Sequence, residues 1–284
     1  MTWREIHKSF LGKLKNIYPG GEAAAITDII FSHFAVISRQ QIIMRGDEEA
    51  TPGLVNQLDT AMEKLLRHIP VQYITGFAWF CDIKFAVNER VLIPRPETEE
   101  LVKHAADFLK TNKGKKVLDI GTGSGCIPVS LKKIVQDAEI LSVDISGEAV
   151  RIANENALIN NTTVEFLEMN FLDEKSRDAL GEFDVIISNP PYIPEEEKNL
   201  LDKNVVMHEP HLALFVPQQD PLIFYKKIQD FADDHLAENG RIFLEVHENF
   251  ANGTAGLFPK EKYECTVEKD ISGKERMVLI SRCR

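Results

Sequence analysis

Apolar residues recur at three- and four-residue steps through the first quarter of the chain. Trp3, Ile6, Phe10, Leu14 and Ile17 form one stripe, Ile26, Ile29, Ile30, Phe34 and Ile37 a second, and Leu54, Leu58, Met62, Leu65, Leu66 and Ile69 a third. That period gathers each set on one face of a helix. Tyr18-Pro19-Gly20-Gly21 is a stop signal, and Thr51-Pro52 is an N-cap followed by proline at the first helical position. Residues 1–70 are therefore expected to form a small helical bundle, with the lone histidines His7, His33 and His68 in structural positions. Its composition is not catalytic, which leaves it substrate docking or scaffolding.

The pattern then changes to short runs rich in aromatic and β-branched residues. Trp79-Phe80-Cys81, Ile83 to Val87 and Val91-Leu92-Ile93, with a turn at Asn88-Glu89-Arg90, predict a β-hairpin linker over residues 71–94. Beyond it, helical stripes alternate with buried strands. A helix through Leu101, Val102, Ala105, Phe108 and Leu109 begins with an acidic turn, as the helix dipole favours. Strands are expected at Lys116–Ile120, Glu139–Val143, Thr163–Leu167, Phe183–Ser188 and Arg241–Val246. Asp220-Pro221 should start a helix that runs through Leu236 and ends at Asn239-Gly240. Tyr263–Val267 and Met277–Ile280, joined by Ser272-Gly273-Lys274, read as a terminal hairpin. The fold expected for residues 95–284 is α/β: a Rossmann-like, seven-stranded sheet with one antiparallel strand.

The turn after Lys116–Ile120 reads Gly121-Thr122-Gly123-Ser124-Gly125, with Asp119 two positions ahead. Alternate glycines let backbone approach a ligand closely between strand and helix. Asp144, about 20 residues further on at the end of the next strand, is placed to accept hydrogen bonds from both hydroxyls of a ribose. Together they read as a nucleoside-cofactor site. The spacing is G-x-G-x-G, whereas the dinucleotide fingerprint is G-x-G-x-x-G. It resembles the motif of S-adenosylmethionine-dependent methyltransferases, which have no pyrophosphate to cradle. Asn170-Phe171, at the end of the third strand, would then face the adenine, Asn170 at its exocyclic amine and Phe171 against its ring; Phe171 is equally compatible with the core.

Composition narrows the picture. A chain of 284 residues suits one large domain and one smaller, and 44% hydrophobic with 27% charged residues is ordinary for a soluble protein. No stretch is long and apolar enough for a membrane span, and Met1 to Gly20 is not a signal peptide, which predicts a cytoplasmic protein. Cys81, Cys126, Cys265 and Cys283 are scattered without a CxxC pair, so neither a metal site nor a disulfide framework is expected. The net charge of −11 disfavours broad phosphate neutralisation. The basic runs Lys113 to Lys116 and Lys132-Lys133 read as solvated helix ends. A protein partner fits that charge better than a nucleic acid.

Asn189-Pro190-Pro191-Tyr192 follows the apolar strand Phe183–Ser188 directly. Proline cannot continue a ladder, so the strand stops there and presents a polar amide, rigid carbonyls and an aromatic ring at a sheet edge where ligands bind. Such a group can grip any planar amide or amino group. The Asn189 side-chain oxygen and the Pro190 carbonyl would accept its two N–H bonds while Tyr192 packs on its plane. A carboxylate would set acceptor against acceptor.

Taken in order, Pro70-Val71-Gln72-Tyr73-Ile74-Thr75-Gly76, Ile93-Pro94-Arg95-Pro96-Glu97-Thr98-Glu99, Asn189-Pro190-Pro191-Tyr192 and Glu209-Pro210 make the sequence resemble the HemK-type protein-(glutamine-N5) methyltransferases over nearly its whole length. The resemblance implies S-adenosylmethionine as cofactor. It implies the glutamine of the Gly-Gly-Gln loop of peptide chain release factors as substrate, and hence an influence on translation termination. By the same resemblance Asn189, Pro190, Pro191 and Tyr192 are catalytic, and Asp119, Gly121, Thr122, Gly123, Ser124, Gly125, Asp144, Asn170, Phe171 and Asn189 bind the cofactor. Two positions depart from the family pattern: Asn170-Phe171 stands where an acidic residue and Trp are usual, and His247 where Gly is usual. The other readings are methylation of a ribosomal protein's glutamine, of the amino group of adenine in nucleic acid, or a non-catalytic cofactor-binding module.

Overall fold

The computed structural model describes residues 1–112 and 115–283, so Lys113, the first residue of one basic run, lies outside the described residues. The chain forms two compact units, Met1–Gly76 with Asp202–His208, and Phe77–Leu201 with Glu209–Arg284.

The first unit contains α1 (Trp3–Leu14), α2 (Gly20–Ile30), α3 (Arg39–Met44), α4 (Pro52–Leu66) and α5 (Val71–Thr75). Its core joins Trp3, Ile6, Phe10, Leu14, Ile26, Ile30, Leu58, Met62 and Leu65. α1 starts in a capping box: Thr2 Oγ1 accepts from Glu5 N and Glu5 accepts from Thr2 N. The second stripe behaves differently from expectation beyond Ile30. The chain widens into a π-helical turn, Phe31–Ala35, and leaves it through Val36 at φ 52°, so Phe34 and Ile37 belong to no continuation of α2.

The second unit opens with an antiparallel hairpin, β1 (Phe77–Phe80) and β2 (Ile83–Ala86), followed by α6 (Pro96–Thr111), β3 (Lys116–Ile120), α7 (Cys126–Ile134), β4 (Glu139–Asp144), α8 (Gly147–Ile159), β5 (Glu165–Glu168), α9 (Glu174–Arg177), β6 (Phe183–Ser188) and β7 (Ile193–Pro194). The short α10 (Lys203–His208) belongs to the first unit, where His208 Nε2 lies 2.9 Å from the carbonyl of Arg67. Back in the second unit come β8 (Phe215–Val216), α11 (Ile223–His235), β9 (Leu236–Glu245), α12 (Ala251–Ala255), β10 (Tyr263–Lys269) and β11 (Glu275–Arg282).

The sheet has seven strands in the order β10-β11-β9-β6-β3-β4-β5, and β11 alone runs against its neighbours. Alternation along the central strands feeds two cores. Leu118, Ile120, Ile186, Ile242 and Leu244 pack with Tyr225, Ile228 and Phe231 of α11 on one face. Val117, Val185, Ile187 and Phe243 pack with Leu101, Val102 and Leu109 of α6 and with Ile127, Val129 and Leu131 of α7 on the other.

Both boundaries of α11 differ from the sequence pattern. α11 ends at His235, and Asn239-Gly240 does not cap it but lies within β9. β9 pairs with β6 at Phe183↔Leu236 and again at Val185↔Arg241, so the residues between bulge out of the ladder. A Gly within a strand commonly marks such a bulge. Nor does Asp220 cap α11, whose N-cap is Leu222.

Candidate active site

β3 sits at the point where the strand order reverses, with β4 and β5 to one side and β6 and β9 to the other. Crevices at the carboxyl ends of strands beside such a reversal are where α/β sheets bind ligands. The ends of β3, β4 and β6 and the residues after β5 all contribute to one cavity there. It is lined by Gly121, Thr122, Gly123, Ser124, Asp144, Asn170, Phe171, Asn189, Pro190 and Pro191, together with Arg95 and Thr98 at the start of α6. Asp119, Gly125 and Tyr192, which the sequence also singles out, stand outside that lining.

The glycine turn is held open by its own geometry. Gly121, Gly123 and Gly125 have φ of 85°, 53° and 78°, the left-handed region that side chains disfavour. A Cβ on Gly125 would lie 3.0 Å from Ala153 Cβ, so this glycine also lets α8 pack against the turn. Asp144 Oδ2 accepts from Gly123 N at 2.9 Å and Oδ1 from Ser146 N at 2.9 Å. Each oxygen keeps a lone pair for a further donor. Burial raises the Asp144 carboxyl above its ordinary value, opposed by these backbone donors.

Asp119 is fully buried beneath the turn. Ser142 Oγ donates to its Oδ2 at 2.5 Å and its Oδ1 has no hydrogen bond. Burial pushes this carboxyl up to about 7, against the pull of Ser142. Phe171 is buried, edge-on to Phe231 with centroids 5.5 Å apart, so the core reading of this ring holds even though it reaches the cavity wall. Asn170 is exposed, and its Oδ1 accepts from Leu172 N at 3.1 Å.

Strand order brings Asn189 to the glycine turn, where a Cβ on Gly121 would lie 4.0 Å from the Asn189 carbonyl. Ser188 Oγ donates to the Ile120 carbonyl at 2.7 Å and joins the two strand ends. The Asn189 side chain is held by Thr98, whose Oγ1 accepts from Nδ2 at 3.0 Å, and Thr98 in turn donates to Glu245 Oε2 at 2.6 Å. Tyr192 OH donates to Glu245 Oε1 at 3.2 Å. Burial of Glu245 raises its carboxyl above the ordinary carboxylate range, and burial likewise raises the Tyr192 phenol. Tyr192 therefore gives its hydroxyl to the protein and stands outside the residues that line the cavity.

Several residues that hold this cleft carried no site reading of their own. Thr98 was legible only as part of the Ile93–Glu99 mark, and Glu245 as an ordinary strand residue. Asn156 of α8 is fully buried; its Oδ1 accepts from Ala86 N at 2.7 Å, and its Nδ2 donates to the carbonyls of Ala86 and Ser124 at 2.9 Å each. A polar residue on the buried side of a helical stripe was the signal. His247 meets Glu197 at 3.1 Å and lies edge-on to Tyr192, with centroids 6.2 Å apart.

The described residues contain no group of His, Cys, Asp and Glu that could hold a metal ion, and none of their helices is long and apolar enough to cross a membrane.

The sheet order and the glycine-lined crevice are those of a Rossmann-like methyltransferase. Residues 99–211 match the Methyltransferase small domain family and residues 8–76 the PrmC N-terminal domain family. The release factor glutamine methyltransferase of Flavobacterium psychrophilum is 38% identical over 99% of this chain and 99% of its own. That of Lactococcus lactis is 42% identical over 82% of this chain and 85% of its own. The crystal structure of SMU.776, described as a methyltransferase complexed with SAH, aligns with a TM-score of 0.51 at 15% identity over 73% of this chain and 55% of that one, a likeness of fold. The chain belongs to the release factor glutamine methyltransferase family.

Proposed function

We propose that this protein transfers a methyl group from S-adenosylmethionine to the side-chain amide nitrogen of the glutamine in the Gly-Gly-Gln loop of peptide chain release factors. The cofactor suits the cleft on local grounds. A nucleoside needs a carboxylate with spare lone pairs at the end of the second strand and a turn without side chains at the end of the first. Asp144 and Gly123, with open space where a Cβ would project, meet both needs. When bound, S-adenosylmethionine supplies an electrophilic methyl on a sulfonium. Asp144 would hold the ribose hydroxyls, Gly121 to Ser124 would border the rest of the nucleoside, and Asn170 and the edge of Phe171 would flank the adenine.

The single observation that carries the acceptor reading is the fixed Asn189 side chain. With Nδ2 committed to Thr98, Oδ1 is left for the cavity that Asn189 lines. Together with the Pro190 carbonyl it forms a pair of acceptors for the two N–H bonds of a primary amide. An amide nitrogen is a weak nucleophile because its lone pair is shared with the carbonyl, so position has to supply much of the rate. Orientation of this kind is worth on the order of 7–11 kcal/mol in favourable cases. The proton leaves readily once the nitrogen carries the new methyl, and no strong base is needed to start the reaction.

The test is transfer of radiolabelled methyl to a release factor, to its Gln→Glu variant, and to DNA. Label on the first alone, lost in Asn189→Ala with cofactor binding intact, is the expected result. Label on DNA and none on the release factor would overturn it.

A further inference from the structure

Glu245, Thr98 and Asn189 come from three distant parts of the chain and form a line of hydrogen bonds whose direction is forced from one end. Glu245 lies at the last position of β9, 2% exposed, and Thr98 is equally buried. Both oxygens of Glu245 accept, Oε1 from Tyr192 and Oε2 from Thr98, so the single hydroxyl proton of Thr98 is spent on Glu245 Oε2. Only lone pairs of Thr98 Oγ1 then remain for Asn189, and the amide has to offer its NH2 group. Turned the other way, the Asn189 carbonyl would meet an oxygen lone pair, and a buried acceptor without a donor is unfavourable. We propose that Glu245, acting through Thr98, is the positioning residue that makes Asn189 an acceptor toward the cavity and so selects an amide over a carboxylate in the substrate. This rests on the glutamine reading above and adds the origin of its specificity. The same side chain takes the Tyr192 hydroxyl, so one buried glutamate fixes both ends of Asn189-Pro190-Pro191-Tyr192.

Three substitutions separate this role from simple packing. Thr98→Val keeps the shape and removes both hydrogen bonds, and Thr98→Ser restores them without the methyl group. Glu245→Gln keeps the shape and adds a donor, which lets the line run backwards and turn the Asn189 NH2 group into the cavity. The first readout needs no substrate: the side-chain NH2 signal of Asn189 in ¹H–¹⁵N spectra, assigned by its loss in Asn189→Ala. It should be protected from exchange in the parent and Thr98→Ser proteins, and unprotected in Thr98→Val and Glu245→Gln. The second is kinetic. Thr98→Val and Glu245→Gln should lose about 10- to 100-fold in kcat/KM for the release factor, with Thr98→Ser within about threefold of the parent. The Gln→Glu release factor should inhibit Glu245→Gln but not the parent.

An unprotected Asn189 signal in the parent, or a Glu245→Gln enzyme with parental rate and selectivity, would overturn the proposal. So would a Thr98→Ser enzyme as impaired as Thr98→Val. If the spectra behave as expected while the parent fails to label any release factor, the glutamine reading falls and the hydrogen-bonded line stands.

Discussion

The guanidinium of Arg95 meets the buried carboxylate of Glu209 at 2.5 Å, and the other oxygen of that carboxylate accepts from Ile93 N at 3.2 Å. Glu209 thereby fastens the segment that leads into α6 and lines the cavity at Arg95. Replacing it with alanine would leave a backbone donor and a partly exposed cation without a partner. Glu209→Ala should lower stability by about 2 kcal/mol, and it should weaken cofactor and release factor binding together, since the freed segment borders the cavity. Urea unfolding and calorimetric titration check the two effects.

Asn156 answers two demands at once. It completes the exposed backbone of β2 at Ala86 and it anchors the glycine turn at the Ser124 carbonyl. Asn156→Ala strands three backbone groups, a buried carbonyl at Ser124 and a partly buried N–H and carbonyl at Ala86, at about 1–3 kcal/mol for each left unsatisfied. The variant should be destabilised by several kcal/mol in sum. The expected sign of its particular place is faster amide exchange at both Ala86 and the Gly121–Gly125 turn.

Asp119 supplies a pH dependence of stability. Its folded value, about 7, stands above the ordinary 3.8, so the group favours folding most below pH 3.8 and the advantage disappears as pH rises through 7. Between pH 6 and 8 it should cost the fold about 1–2 kcal/mol. Asp119→Asn has no such titration. Unfolding curves at pH 6 and 8 should show the gap between parent and variant shifting in the variant's favour at the higher pH. An unchanged gap would mean that Asp119 does not titrate there.

His247 shows its tautomer. Asn249 N donates to Nδ1 at 3.2 Å, so the proton sits on Nε2 and is given to Glu197 Oε2 at 3.1 Å. This bond tethers the turn Glu195–Leu200, which follows Tyr192 closely, to the end of β9. His247→Gly should raise amide exchange across residues 195–200 and reduce kcat/KM several-fold. Glu197→Gln, which still offers an acceptor, should remain near the parent in both measurements.

The strands of the seven-stranded sheet, the glycine turn and Asn189-Pro190-Pro191-Tyr192 were legible because each is written in neighbouring residues: an apolar run, a spacing of glycines, a pair of prolines. Asp144 was legible by its distance from the turn. What escaped was whatever needs two distant segments to meet. Thr98 and Asn189 touch across 91 residues and Thr98 and Glu245 across 147, and no local pattern records those pairings. The α3 helix escaped for another reason. At six residues it is too short to show a stripe, although Ser38 and Gln41 form a capping box that announces it. Asn239-Gly240 misled because the pair that ends many helices also serves a bulged strand, and pairing with β6 decided between them.

The chain passes through the helical unit twice, once at the start and once in the few residues from Asp202 to His208. A cut after Gly76 would therefore yield a front piece lacking α10 and a rear piece carrying it without its companions. Although the sequence reads like two modules joined by a β-hairpin linker, neither could be exchanged by a single crossover in the gene. A recombinant that gave this enzyme another helical unit would have to bring two segments, the second lying between Asn189-Pro190-Pro191-Tyr192 and Glu209-Pro210.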